Sequence, residues 1–188
     1  HRGFVLGAEF SPDGGRLVTY SDDKTAQVWD VKSGQRLQGP LQHESVVKSA
    51  QFSPLDGRWL LTVSWDKRGA RLWDVSTGTE MPIGLRHEMS VTSAEFSRDG
   101  HRIVTSSLDG TAQVWDAQTG KQFGQPYRHD NQVWLARFSA DGRLLVSRTA
   151  DGSVHVWDTN TQLPLIEPLR HQIDSFEVTP DGGELLTV

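Results

Sequence analysis

The sequence has 188 residues, of which 36% are hydrophobic, 23% are charged and none is cysteine. This composition is typical of a globular protein, and the lack of cysteine excludes disulfides, thiolate nucleophiles and cysteine-based metal sites. A formal net charge of −5 argues against a surface that follows nucleic acid phosphates, and no apolar run is long enough to predict a membrane-spanning helix.

Three short markers recur along the chain at a common period. The dipeptide Trp-Asp occurs at Trp29–Asp30, Trp73–Asp74, Trp115–Asp116 and Trp157–Asp158. A histidine recurs at His1, His43, His87, His129 and His171. An Asp-Gly pair follows each histidine, at Asp13–Gly14, Asp56–Gly57, Asp99–Gly100, Asp141–Gly142 and Asp181–Gly182. The shared order and spacing predict repeat units at about 1-42, 43-86, 87-128 and 129-170, followed by a partial unit at 171-188.

Each unit predicts four short β-strands in chain order. The first follows the histidine and alternates in polarity, as in VVKSAQF at 46–52. The second, such as RLVTYS at 16–21, is rich in β-branched residues that suit a strand buried on both faces. The third, TAQVWD, occurs at both 25–30 and 111–116, and the fourth, roughly 35–41, contains the Gly and Pro of an outer edge strand. A period of this length predicts an all-β propeller with blades of four-stranded antiparallel sheets.

The second unit carries one irregularity. Seven steps separate Asp66 from Trp73, where the other units take six. The extra residue predicts a bulged turn before the third strand, with Gly69 relieving the backbone. We interpret Lys67 and Arg68 in that turn as solvated residues, with a binding role as the alternative.

Over its whole length the chain resembles the WD-repeat family, in the regular style of bacterial multidomain proteins. Other residues replace the glycine of the family's Gly-His dipeptide, as in LQHE, LRHE and YRHD, but the histidine is kept. The resemblance implies about four and a half blades of a propeller whose complete ring has about seven. Two alternatives follow: the chain is cut from a longer propeller, or two copies associate through the open ends to complete a ring.

The resemblance also implies a hydrogen-bonded tetrad of His, Ser or Thr, Asp and Trp inside each blade. The matching residues are His1, Thr19, Asp23 and Trp29; His43, Thr62, Asp66 and Trp73; His87, Thr105, Asp109 and Trp115; His129, Ser147, Asp151 and Trp157. In the partial unit only His171 and Thr187 remain. Recurrence in every unit favours a structural clasp over a hydrolase triad or a metal site, because a reactive site is needed only once. We interpret His101 and His155, outside these sets, as ordinary surface or edge residues.

Partner binding in this family commonly uses the wide face near the central channel. The resemblance places there Phe4, Leu6, Asp22, Val46, Lys48, Trp65, Leu108, Gln132, Trp134 and Phe176, with Ser90, Thr92, Ala150 and Asp174 at the remaining equivalent positions. Trp65 and Trp134 lie outside the Trp-Asp motif, so the tetrads do not explain them. Exposed aromatic rings favour protein binding, and packing against neighbouring loops is the alternative.

These observations predict a non-catalytic scaffold for protein–protein interaction, serving as a regulatory or sensing part of a larger bacterial protein. The partner would be a protein or peptide, with no nucleic acid, membrane, metal or cofactor. The lack of cysteine fits a cytoplasmic location. The alternative is a regulatory domain appended to an enzyme, a Ser/Thr kinase or a signalling NTPase, whose catalytic domain lies outside this chain.

Overall fold

A computed structural model describes residues 1–66 and 69–170, together with the backbone of two strands at 176–178 and 185–187. Within these residues every regular element is a β-strand and no helix occurs, which confirms the all-β prediction. The same part of the chain accordingly holds no helix able to span a membrane. Lys67, Arg68, His171 and Asp174 lie outside the described residues, as do the side chains of Phe176 and Thr187.

The strands form consecutive antiparallel sheets, in which neighbours in the chain are neighbours in the sheet. The first contains β1 (Val5–Phe10), β2 (Arg16–Ser21), β3 (Thr25–Asp30) and β4 (Leu41–Gln42). The second contains β5 (Val47–Phe52), β6 (Trp59–Ser64), β7 (Ala70–Asp74) and β8 (Thr79–Glu80). The third contains β9 (Val91–Phe96), β10 (Arg102–Ser107), β11 (Thr111–Asp116) and β12 (Tyr127–Arg128). The fourth contains β13 (Val133–Phe138), β14 (Leu144–Thr149) and β15 (Val154–Asp158), while β16 (Phe176–Val178) pairs with β17 (Leu185–Thr187).

The outer strands are shorter than the predicted fourth strands. In the first blade, β4 is a dipeptide that pairs with Thr25 and Ala26, and an isolated bridge joins Arg36 to Trp29. Proline and glycine interrupt the segment between these two contacts. Proline lacks the N–H that a continuous ladder requires, so the fourth strand is reduced to two points of contact.

The Asp-Gly pairs of the first four units close the hairpins between the first and second strands, while Asp181–Gly182 lies outside the described residues. In the first blade, the Asp13 carboxylate accepts hydrogen bonds from the Ser11 hydroxyl and from the Gly15 N–H. Gly14 has a φ of 69°, a left-handed conformation that glycine adopts without a steric penalty. The same arrangement recurs in the third and fourth blades, so one short motif sets the same turn in successive units.

The core lies between the blades rather than within one of them. Val18 and Val28 of the first blade pack in one cluster with Val47, Phe52 and Leu60 of the second. Each blade is a single sheet with apolar side chains on both faces, and these side chains are buried only when a neighbouring sheet covers each face. Successive blades therefore stabilise one another by covering the apolar flanks of their neighbours.

Polar contacts also join the innermost strands of successive blades. The amide oxygen of Gln51 accepts a hydrogen bond from Phe96 N at 3.1 Å, and the Glu9 carboxylate accepts one from Phe52 N at 3.3 Å. Between the third and fourth blades, Glu95 forms an ion pair with Arg137 at 3.2 Å. These contacts hold the first strands side by side and so fix the relative positions of the residues at their ends.

Candidate functional site

All four predicted tetrad side chains meet in the third blade. Trp115 Nε1 donates to Thr105 Oγ1 at 2.8 Å, and the same hydroxyl lies 2.7 Å from His87 Nε2. The other ring nitrogen, Nδ1, lies 3.0 Å from Asp109 Oδ2. The first blade repeats this arrangement with Trp29, Thr19, His1 and Asp23. Both ring nitrogens of these imidazoles face partners, so the histidines join a loop to strands rather than offer a reactive nitrogen.

The electrostatics of the third tetrad favour a neutral imidazole beside an ionised carboxylate. Burial lowers the pKa of His87, with the negative charge of Asp109 acting in the opposite direction. The pKa of Asp109 is lowered in spite of its burial, because Thr111 donates to the carboxylate and the imidazole lies beside it. The ionised carboxylate of such a pair orients the neutral ring within the blade.

The second blade departs from the expected tetrad at its aspartate. Trp73 Nε1 and His43 Nε2 both bond Thr62 Oγ1, at 2.9 and 2.8 Å. His43 Nδ1, however, lies 3.2 Å from the backbone oxygen of Leu41. The Asp66 carboxylate forms a buried ion pair with Arg71 at 2.7 Å. The structure therefore joins three of the four residues and redirects the aspartate, because an arginine on the third strand binds it.

The fourth blade departs in another way. Trp157 and His129 both bond Ser147 Oγ, at 3.0 and 2.7 Å. Asp151 instead accepts hydrogen bonds from Thr149 Oγ1 and from the backbone N–H of Ser153 within its own turn. Among the described residues His129 Nδ1 has no hydrogen-bond partner although it is buried.

A second imidazole takes the place beside His129. The rings of His129 and His155 are 4.7 Å apart, and His155 stacks on Trp157 with an angle of 11° between their planes. His155, on the third strand of its blade, is half-buried and lies beside both rings. Burial and then the positive field of a protonated His155 lower the pKa of His129 to about 4.

Sequence reasoning missed the residue two positions before each Trp-Asp tryptophan. Gln27 and Gln113 lie 3.3 and 3.4 Å from Nδ1 of the histidines in their blades. Arg71 and His155 stand at the same position in the two irregular blades. The signal was available in the TAQVWD motif, where this position and the first one, Thr25 and Thr111 against Gly69 and Ser153, change in the two irregular blades.

In the first four blades, the rim positions come together at the opposite end from the Asp-Gly turns. One backbone hydrogen bond joins two of them in every blade: Asp22 N to Phe4 O, Trp65 N to Val46 O, Leu108 N to Ser90 O and Ala150 N to Gln132 O, at 2.8 to 3.2 Å. The bond ties the start of the first strand to the end of the second. The rim residues are therefore held on strands with a fixed backbone.

The remaining rim position, the fifth residue after the histidine, is the extra residue of a β-bulge in each of the four blades. The ladder between the first and second strands skips Leu6, Lys48, Thr92 and Trp134. A bulged residue leaves the regular alternation, so its side chain is re-aimed relative to its strand neighbours. Four blades thus present four different side chains with one backbone geometry.

The rim side chains differ in their exposure and in their contacts within the protein. Trp65 and Trp134 are 38% and 43% exposed, and Lys48 Nζ lies 3.4 Å from the centre of the Trp65 ring. Burial lowers the pKa of Lys48. Thr92 is engaged internally, since its hydroxyl donates to Val133 O at 2.6 Å. The rim therefore combines two exposed indoles and a cation with one position that serves the contact between blades.

No group of three or more His, Asp or Glu side chains that could hold a metal ion occurs in the described parts of the chain. The histidine and aspartate side chains are instead distributed over separate blades, each with the local partners given above.

Comparison with known proteins gives relatives that each match part of the chain. The chain is 40% identical over 67 residues to the human serine-threonine kinase receptor-associated protein, covering 36% of this chain and 19% of that protein. It is 35% identical over 119 residues to the guanine nucleotide-binding protein subunit beta of Zea mays, and the match covers 60% of this chain and 31% of that protein. It is 38% identical over 69 residues to the poly(A)+ RNA export protein of Schizosaccharomyces pombe, and the match covers 36% of this chain and 19% of that protein.

The chain spans between about a fifth and a third of the length of these relatives. All three are eukaryotic, and they give no support to the predicted bacterial origin. The family model described as WD domain, G-beta repeat matches residues 1–30, 82–116 and 120–158, which together make up more than half of the chain. With that match, and with the blades and clasps described above, this chain belongs to the WD40 repeat family.

Proposed function

We propose that the chain is a non-catalytic scaffold that binds a protein or peptide through the rim of bulged residues. The observation that carries this proposal is the bulge at Leu6, Lys48, Thr92 and Trp134, which presents varied side chains on one repeated backbone. Large, rigid aromatic side chains beside a cation are typical anchors of protein interfaces. The names of two relatives, a receptor-associated protein and a subunit of a guanine nucleotide-binding protein, also describe members of assemblies.

The non-catalytic part of the proposal rests on how the polar residues are used. The imidazole of His87 faces Thr105 on one side and Asp109 on the other, inside a blade. The hydroxyl that would act as a nucleophile, Thr105 Oγ1, already accepts the Trp115 N–H. A nucleophile and base of an enzyme must reach a substrate, and these groups face one another within the protein.

We also propose a role for the chain within a larger protein. The chain would serve as a regulatory or sensing part of a larger cytoplasmic protein of bacterial origin. Repeated blades with changing rim residues support a sensing role, because such a surface changes its partner without a change of fold. The parent reading frame tests this role directly, through the domains that it encodes beside the blades.

The rim is tested by removing its two exposed indoles. Peptides selected from a phage-displayed random library on the wild-type protein serve as ligands, and their affinity is measured by isothermal titration. We expect the double variant W65A/W134A to lose affinity by about a hundredfold or more, as hot-spot tryptophans do. The melting temperature should change little, since both rings are partly exposed.

A matched control removes two exposed apolar residues from outer loops, as F123A/L163A. This control variant should bind the selected peptides like the wild type. Equal affinity of the rim variant and the control variant would contradict the proposal.

A further inference from the structure

The outer edge of the second blade differs from that of the other three. Three blades join the start of the third strand to the outer strand through one equivalent pair: Ala26–Leu41, Ala112–Tyr127 and Val154–Leu169. In the fourth blade, Val154 and Leu169 exchange two backbone hydrogen bonds of 3.0 and 2.9 Å. The equivalent Ala70 and Leu85 of the second blade form no such pair. The second blade keeps the contact at its tryptophan, Trp73–Glu80, which the other blades also have as a bridge.

The sequence accounts for this difference. A proline directly precedes the outer-strand residue in the other three blades: Pro40, Pro126 and Pro168. In the second blade Gly84 stands at that position, and a proline, Pro82, lies two residues earlier. Proline fixes its own φ and keeps the preceding residue extended, whereas glycine imposes neither restriction. The segment before Leu85 consequently leaves the edge of β7.

A cleft lies at this edge in the first blade, where the Ala26–Leu41 pair is formed, and another lies beside the unpaired edge of the second blade. The cleft of the second blade has a volume of about 410 Å³, and Ala70, Arg71, Ile83, Gly84 and Leu85 are among its lining residues. By analogy with Val154, the N–H and C=O of Ala70 point to the outer edge, and Ala70 is buried. Buried backbone groups without a partner are costly, so this edge favours any strand that supplies one donor and one acceptor.

The same cleft carries a buried donor. Arg71 is only 4% exposed, and its Nη1 and Nη2 donate to Gln42 O at 2.9 Å and to Asp66 Oδ2 at 2.7 Å. The Nε of Arg71 is buried and has no partner among the described residues. The hydrogen bond to Gln42 and the ion pair with Asp66 hold the guanidinium in place, which leaves Nε as the one nitrogen of Arg71 without an acceptor among the described residues.

We propose that this cleft receives an extended peptide segment of a partner protein by β-strand addition to the edge of β7. The peptide backbone would pair with the N–H and C=O of Ala70, and one of its oxygens would accept the Arg71 Nε–H. Side chains that point into the cleft would contact Ile83 and Leu85, which favours small or β-branched residues there. The site is distinct from the rim, so its test can fail without affecting the proposed function.

The open edge is tested by hydrogen exchange of the intact protein, resolved to single amides. We expect the Ala70 amide to exchange at least about tenfold faster than the amides of Ala26 and Ala112, which are paired in their blades. Equal protection of the three amides would overturn the proposal, because it would show that the edge of β7 is already paired.

Peptide binding is tested with acetyl-Thr-Val-Thr-Val-Thr-amide and with the same peptide N-methylated at its central residue. We expect the first peptide to protect Ala70 from exchange, and the second, which lacks one donor, to bind at least about tenfold more weakly. The variant R71Q carries the residue found at the equivalent positions Gln27 and Gln113. It should keep the fold and bind the first peptide about threefold or more weakly.

A closing variant separates this site from general effects on folding. P82Q/G84P restores the pattern of the first blade, where Gln38 and Pro40 stand at these positions. We expect the variant to gain the Leu85–Ala70 pair, to melt at a higher temperature and to lose the peptide. Equal binding to the wild type and the closing variant, or no binding to the wild type at about 1 mM peptide, would overturn the proposal.

Discussion

The side-chain amide of Gln162 in the fourth blade pairs with the backbone of Gln125 in the third. Gln162 Nε2 donates to Gln125 O at 2.9 Å, and Gln125 N donates to Gln162 Oε1 at 3.0 Å. Gln162 itself has a φ of 58°, at a position where the other blades have glycine: Gly34, Gly78 and Gly120. The two hydrogen bonds therefore offset the backbone strain of a non-glycine residue in the left-handed region and link the outer loops of two blades.

This relationship predicts a difference between two substitutions. Q162A and Q162G both remove the amide and its two hydrogen bonds, but only Q162A keeps a side chain in the left-handed conformation. We expect Q162A to be less stable than Q162G by about 1 kcal/mol, measured as the free energy of unfolding in urea. A Q162A variant as stable as Q162G would show that the loop changes conformation once the hydrogen bonds are lost.

The unequal tetrads predict unequal roles for their aspartates. Asp109 accepts hydrogen bonds from the His87 ring and from the backbone of Glu88 and Thr111. D109A removes the charged acceptor of the His87 ring and leaves Thr111 Oγ1, at 3.1 Å, as the remaining hydroxyl beside Nδ1, so we expect a loss of about 1–3 kcal/mol in the free energy of unfolding. D151A should cost less than about 1 kcal/mol, because that carboxylate serves its own turn. Equal losses in urea titrations would contradict the unequal tetrads described here.

The repeat itself predicted much of the fold, because each blade uses the same local rules. The spacing of Trp-Asp, His and Asp-Gly predicted strands of the right type and order, and the alternation of VVKSAQF predicted β5 to within one residue. The bulge at Trp134 was not predicted, since an extra residue in one strand leaves no compositional mark. The family resemblance, rather than periodicity, placed that residue at the rim.

The departures of the second and fourth blades depend on contacts between residues far apart in the chain. Asp66 and Asp151 satisfy the repeat pattern equally well, yet neither bonds the histidine of its blade. Their partners were decided by Arg71 and by a short turn, which the repeat pattern alone does not rank. The motif thus predicts the contacts among His, Ser or Thr and Trp, while the partner of the aspartate depends on contacts that the motif does not set.

Two partly buried groups, His129 and Glu95, predict opposite responses of stability to pH. Burial and the neighbouring His155 lower the pKa of His129 from 6.5 to about 4, so between these values the unfolded chain binds a proton that the folded protein excludes. Acidification through that range destabilises the fold. Burial raises the pKa of Glu95 from 4.5 to about 7, against the charge of Arg137, so there the folded protein binds the extra proton. Acidification through that range stabilises the fold and offsets the effect of His129.

The variant E95Q removes the stabilisation that the protonation of Glu95 provides on acidification. We expect its free energy of unfolding to fall by about 1–2 kcal/mol more than that of the wild type between about pH 7 and pH 4.5, allowing for solvent screening of a partly exposed carboxyl. The exposed Glu88 offers a matched control, E88Q, which should follow the wild type. Urea titrations at several pH values measure the difference, and parallel pH profiles for the wild type and E95Q would contradict it.

The last prediction compares two phenylalanines at the same position of successive blades. Phe52 is 2% exposed between the first and second blades, while Phe10 is 60% exposed on the outer flank of the first. We expect F52A to lower the free energy of unfolding by about 3–5 kcal/mol, since it opens a cavity in the core between blades. F10A should change it by less than about 1 kcal/mol, since no described blade lies against that flank. Sedimentation at the same protein concentrations provides the control, because equal losses for both variants, together with a dimer in the wild type, would show that another blade covers Phe10 in solution.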